Sequence, residues 1–279
     1  MTGVLLALAA SLTWGFADFG AGVGARRLPV LVVAGITQTT GLVVAAAVVV
    51  ALHDSLPSAR QLAWAAFAGV VGVIGLSAFY RALAVGMMGV VGPITATASI
   101  VPVAYGLARG ERPSPLQGAG VALALIGVVA ASLERIPDQR GRRFGVGAGL
   151  ALVAAVSFGW ALVGLGRAAP GGAAWSVLTM RAATVPLVLI AALALKPRLS
   201  ASSRGWYLLV GVGIADTGAT LLYGTASTRG LLSIVAVLSS LYPIVIVVLA
   251  RVLLAERLAR TQLAGVAVAL TGVALISAG

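Results

Sequence analysis

Apolar residues run along this chain in blocks of about 20, broken only by short polar interruptions. Ten spans are predicted, near 3–24, 29–52, 61–83, 86–107, 116–133, 145–166, 173–195, 205–225, 230–252 and 260–278. A block of that length suffices to cross a hydrocarbon core of ~30 Å. In lipid every backbone polar group needs a partner within the protein, so a spanning chain is either helical or a closed barrel. Continuous runs such as 43–52 and 263–276 lack the alternation of barrel strands, and the predicted class is an all-α integral membrane protein. The connections are short and carry turn chemistry, as in Arg26-Arg27-Leu28-Pro29, His53-Asp54-Ser55-Leu56-Pro57 and Pro170-Gly171-Gly172. Helices adjacent in sequence should therefore be antiparallel neighbours.

Self-similarity organises the chain into two parts. Shifting by 145 lays 111–132 over 256–277 with twelve of 22 positions identical. A shift of 144 lays 6–22 over 150–166 and brings Gly15 onto Gly159 and Gly20 onto Gly164; a shift of 141 pairs Pro102 with Pro243. Matched Glu-Arg, Gln, Gly and Pro positions are more than shared hydrophobicity explains. The expected units are 1–134 and 145–279, joined by a basic linker at 135–144. Each unit holds five helices, an odd number, so the second enters the bilayer from the opposite side and the repeat is inverted. Inverted repeats are a construction of secondary transporters, in which two related halves exchange conformations.

Composition changes the picture little. Of 279 residues 60% are hydrophobic and 9% charged, against about a quarter charged in soluble domains. The net charge of +12 would suggest nucleic acid in a soluble protein, but the basic residues sit mostly at helix ends, where they orient a membrane protein. With no cysteine there is no disulfide, thiolate metal site or redox motif, and no cofactor or metal is expected. His53 reads as a solvated loop residue. The first apolar run follows no basic segment, which argues against a cleaved signal peptide.

The segments YRALAVGMMGVVGPITA (80–96), GERPSPLQ before a Gly-rich helix, and STRGLLSIVAVLSSLYPIVIVVLARVLLAERL (227–258) resemble the two EamA-type repeats of the drug/metabolite transporter superfamily. The resemblance covers nearly the whole chain. It implies ten helices, a central cavity between the halves, and export or exchange of small metabolites or drugs. The expected setting is the cytoplasmic membrane, and the candidate partners besides the substrate are protons or a counter-substrate. Orientation stays open. Thirteen of the 19 Lys and Arg residues fall on the side of the 1–2 connection and five on the other, with Arg181 apart from both; this puts both termini outside, whereas the resemblance implies termini in the cytoplasm.

Charged groups at membrane depth are costly and usually face a cavity or a partner. Arg181, Asp216 and Asp18 qualify. Counted from the connection they share, Arg181 is about 14 residues deep and Asp216 about 11, roughly 5 Å apart in height at 1.5 Å per residue, so they can meet. Either they contact substrate or they form a permanent pair locking two helices. Asp18 is a binding group or an interfacial carboxylate near Arg26 and Arg27. Gln38 overlays Arg181 at a shift of 143, where the EamA pattern often has arginine, and is expected to line the cavity. Tyr80 overlays Tyr223; both suit a cavity wall or, at helix ends, an interfacial anchor. Trp14, Phe158 and Trp160 flank the paired glycines, as aromatic walls or ordinary packing. Ser239 and Ser240 can touch substrate or fill the gaps left by Pro93, Pro102 and Pro243, which are candidate hinges. Glu111 and Glu256 are expected to complement the dipoles of the helices that follow them. A membrane enzyme acting on lipid-linked substrate would need a carboxylate, histidine or nucleophile cluster that seven scattered acids do not supply. A passive channel is the remaining alternative.

Overall fold

The computed structural model describes residues 1–25, 28–85, 91, 94–132, 144–196, 203–253 and 259–279. These form the helices α1 (Thr2–Ala25), α2 (Val30–Leu52), α3 (Ala59–Val85), α4 (Ile100–Ala108, entered through a 3-10 turn at Thr97–Ser99), α5 (Pro115–Ala131), α6 (Phe144–Ala168), α7 (Ala173–Leu195), α8 (Ser203–Ser227), α9 (Leu232–Ser239), α10 (Tyr242–Leu253) and α11 (Arg260–Ala278). Eight stretches are long and apolar enough to cross a membrane, with α9 and the start of α10 counting as one of them. Two more apolar helices, 94–108 and α5, are shorter. The chain is a multi-pass membrane protein, with helices and no strand among its described residues.

Its polarity is turned inside out relative to a soluble fold. Leu12, Phe16, Val43, Ile126, Ile190 and Leu270 are exposed on the outer surface, whereas Arg181, Thr217, Thr220 and Ser239 are buried. That is the arrangement lipid demands, because the outside needs no water and polar groups find partners only within the protein. The short helix α9 is buried at all eight of its residues and forms the middle of the main core.

The principal helix pairings are α1 with α8, α3 with α6, and α5 with α11. The helix α2 packs on α7 and α8, α7 also packs on α3, α1 packs on α9 and α10, and α4 packs on α6 and α9. Small residues bring the backbones together, as expected where lipid supplies no hydrophobic drive to helix association. A Cβ on Gly120 would lie 2.7 Å from the Gly272 carbonyl oxygen, and one on Gly127 would lie 2.6 Å from Ala269 Cα, so only glycine lets α5 and α11 approach this closely. Gly15 packs on Tyr242 and Val245 of α10, and Gly159 packs on Ala98 and Val101 beside and within α4. Gly20 meets Val212 of α8, while Gly164 meets Trp64 and Ala68 of α3.

Two helix ends are alike. α2 ends at His53 and α7 at Lys196, both with left-handed backbone (φ 53° and 42°), 143 positions apart. His53 accordingly serves as a helix end whose residue closes the turn. Ser114 and Gln117 form a capping box at the start of α5, with Ser114 N donating to Gln117 Oε1 (3.0 Å) and Gln117 N to Ser114 Oγ (3.1 Å). At α11 the serine is replaced by Ala259, and only the glutamine half remains, Ala259 N donating to Gln262 Oε1 (2.9 Å).

Candidate functional site

Four polar side chains converge inside the bundle from four helices. Arg181, near the middle of α7, is ion-paired to Asp216 of α8 through Nη2. Its Nη1 donates to Gln38 Oε1 of α2. From the other side Trp14 of α1 donates its indole N–H to Asp216 Oδ1 (3.1 Å). A guanidinium suits this role because its planar fork reaches two acceptors at once. Arg181 is 4% exposed and Asp216 24%, so the cation is sealed while the carboxylate keeps an open flank. The Nε of Arg181 is buried without a partner among the described residues, and Gly41 and the Thr217 side chain close around it.

Beside this constellation lies a hollow of about 200 Å³ lined by Trp14, Gln38, Arg181 and Asp216 together with Gly69, Gly72, Phe158, Leu162, Met180, Thr184 and Thr220. Thr184 and Thr220 follow Arg181 and Asp216 by three and four residues, which places them on the same helix faces. That spacing was legible in the sequence, yet these two threonines were not among the expected site residues. Their hydroxyls donate to carbonyls of their own helices, Thr184 to Met180 (2.9 Å) and Thr220 to Asp216 (2.7 Å). Each oxygen keeps lone pairs that can accept from a ligand.

Asp18 stands one turn beyond Trp14 on α1. It is exposed and lies within electrostatic reach of Asp216 and Tyr242. These contacts overturn neither the binding reading nor the interfacial reading beside Arg26 and Arg27. Both arginines lie outside the described residues.

Other expected site residues sit elsewhere. Tyr223 is fully buried; its hydroxyl donates to the Leu162 carbonyl (3.0 Å) and its ring lies 5.8 Å from that of Trp14. It is therefore neither an interfacial anchor nor open to the hollow, but a support beneath Trp14 that ties α8 to α6. Ser239 and Ser240 are buried at the end of α9, and Ser239 donates to the Ala7 carbonyl of α1 (3.3 Å). They pack helices and do not reach the hollow. Pro102 and Pro243 occupy the first turns of α4 and α10, and the chain departs from α-helix just upstream, at Thr97–Ser99 and at 240–241. A proline without its N–H is tolerated in a first turn, so each break precedes its proline. The Tyr80 side chain and Pro93 lie outside the described residues, as does Glu256.

Glu111 departs from expectation. Its carboxylate accepts from the backbone N–H groups of Leu232 (2.8 Å) and Ser233 (3.0 Å). It therefore caps α9, in the other half of the chain, rather than complementing the dipole of α5, whose start is already capped by Ser114. Helix starts leave N–H groups without partners, and α9, buried throughout, has no water to supply them. Sequence could not reveal a partner 121 positions away.

Comparison with known proteins agrees with this architecture. A solved crystal structure superposes with a TM-score of 0.82 over 98% of this chain and 95% of that chain at 21% identity, a likeness of fold. None of the curated proteins compared matches the chain. Residues 1–133 and 145–278 each match the model of the EamA-like transporter family, whose members are membrane transporters rather than enzymes, and the chain belongs to that family.

Proposed function

We propose that the protein is a secondary active transporter that moves a small polar metabolite or drug across the cytoplasmic membrane by alternating access between two inverted five-helix repeats. The observation that carries this reading is the Trp14–Gln38–Arg181–Asp216 constellation. Two of its members come from residues 1–134 and two from 145–279, so any substrate that contacts it touches both halves. Support for the repeat comes from the helix pairings: exchanging the two sequence copies turns α1·α8 into α6·α3, and α2·α8 into α7·α3, while α2·α7 and α5·α11 map onto themselves. Two halves so related can trade conformations at little cost, which is what alternation requires.

The chemistry suits reversible binding. An arginine that holds a carboxylate and an amide presents a substrate anion with a partner to displace. Asp216, with its open flank, offers a substrate ammonium or a proton a place to compete with Arg181. With Asp18 within electrostatic reach of Asp216, a second carboxylate adds to the negative potential at its open flank, so the hollow favours a ligand that brings positive charge as well as polar acceptors. A volume of about 200 Å³ lies below the ~300–1,000 Å³ that holds drug-sized ligands. In this conformation a metabolite fits better than a drug, and amino acids are of the right size and charge.

Purified protein in vesicles tests the reading. Saturable uptake of one metabolite from a panel, driven uphill by a proton gradient or by internal counter-substrate, is the expected result. Flux that neither saturates nor responds to a gradient indicates a channel and refutes it.

A further inference from the structure

The outer face of the α3/α6 pair carries a second concavity, back to back with the hollow. Where Ala68, Gly69 and Gly72 of α3 and Phe158, Ala161 and Leu162 of α6 face inward, Arg60, Trp64, Phe67 and Val71 with Val156 and Trp160 line a groove of about 570 Å³ on the other side. Its walls are aromatic: the Trp64 and Phe67 rings lie edge to face at 5.7 Å, and Phe67 meets Trp160 at 6.2 Å. Phe67 and Trp160 are more than a third exposed. A single charge, Arg60, stands at one end, and among the described residues it has no salt-bridge partner.

We propose that this groove binds one anionic phospholipid, with an acyl chain along the aromatic wall and the phosphate on Arg60. Length supports the assignment. Val71 lies eleven residues after Arg60, a rise of about 16 Å, half of a ~30 Å hydrocarbon core, so the groove matches one leaflet. Charge supports it as well, because the cation sits at the end of α3, where headgroups lie. Arg167, seven residues after Trp160 and hence on nearly the same side of α6, ends that helix at a similar level, and its Nε is buried without a partner among the described residues. The aromatic wall also belongs to one copy only. The 144-residue overlay puts Arg204 over Arg60, but Leu208, Gly211 and Phe16 over Trp64, Phe67 and Trp160. The concavity is thus a local feature of α3/α6 and no by-product of the repeat.

Tryptophan quenching by lipids with brominated chains tests the site, since Trp64 and Trp160 form its wall. Protein in dioleoylphosphatidylcholine vesicles should reach half-quenching at an about fivefold lower mole fraction of brominated phosphatidylglycerol than of brominated phosphatidylcholine, the preference that one basic residue near the headgroups supplies. Arg60→Gln, at an exposed position, should bring the two curves together. Val71→Phe, which fills the inner end and leaves the charge, should reduce the preference, and it should vanish from a Trp64→Phe/Trp160→Phe double variant. Equal quenching by both lipids, or a preference that survives Arg60→Gln, overturns the proposal. So does displacement by millimolar glycerol phosphate, which would make the site one for free phosphate, or a preference untouched by Val71→Phe, which would reduce it to headgroup attraction.

Discussion

Separating Arg181 from Asp216 distinguishes a working site from a fixed clamp. The guanidinium is 4% exposed and its partner 24%. Removing one member of a buried pair costs about 3–5 kcal/mol, because the other charge is left without compensation. Arg181→Gln should fall below that range, at about 2–3 kcal/mol, since Asp216 keeps the Trp14 indole donor and its open flank. Asp216→Asn should cost about 3 kcal/mol, because it strands a sealed cation with neutral acceptors only. In the double variant the two introduced amides can bond to each other and to Gln38 without any charge, so its loss should not exceed about 2 kcal/mol. A coupling of roughly 3 kcal/mol follows, which at ~2–4 °C per kcal/mol for a chain of this size restores about 6–12 °C of melting temperature relative to additive losses. Melting in detergent and counterflow in vesicles are measured on the same four proteins. A pair that opens during transport predicts a double variant that melts near the parent yet transports below a tenth of its rate. Losses that simply add refute the energetic argument, and a double variant that recovers both properties shows a clamp outside the cycle.

Other outcomes follow from single contacts. Trp14→Phe keeps a ring against Tyr223 but drops the donor to Asp216; it should cost about 1 kcal/mol in melting experiments and weaken substrate affinity severalfold in uptake assays. Glu111→Ala leaves the Leu232 and Ser233 amides without their acceptor and should destabilise by about 1–2 kcal/mol, with Glu111→Gln milder, as read from thermal melting. Gly127→Leu should prevent accumulation of folded protein by driving α11 away, whereas Gly22→Leu, with nothing within 4 Å of its added Cβ, should be neutral; size-exclusion profiles compare them. A reporter active only in the cytoplasm, fused after Gly279, should be silent if the distribution of arginines sets the orientation.

The helical class and the apolar segments long enough to cross a membrane were legible in the chain alone, and the sequence overlays itself in two copies. Lipid imposes one backbone solution on long apolar runs, and a duplicated sequence carries its correspondences in order. The overlay that equated Gly15 with Gly159 and Gly20 with Gly164 pointed to close contacts that the helices make. The depth count placed Arg181 and Asp216 within reach of each other, because helical rise is fixed.

Tertiary structure decided what each residue touches. Gln38 and Arg181 were matched as equivalents, and only packing made them partners. Trp14 was one aromatic among several until its indole reached Asp216. Tyr223 and the serines at the end of α9 had the composition of a cavity wall but face helices instead. Glu111 caps a helix 121 positions away. Hydropathy fixes which segments lie in lipid, but each helix is apolar nearly all round, so periodicity says little about which face meets which neighbour. That choice rests on steric fit between small residues and on pairing the few buried polar groups, both of which exist only once the helices are together.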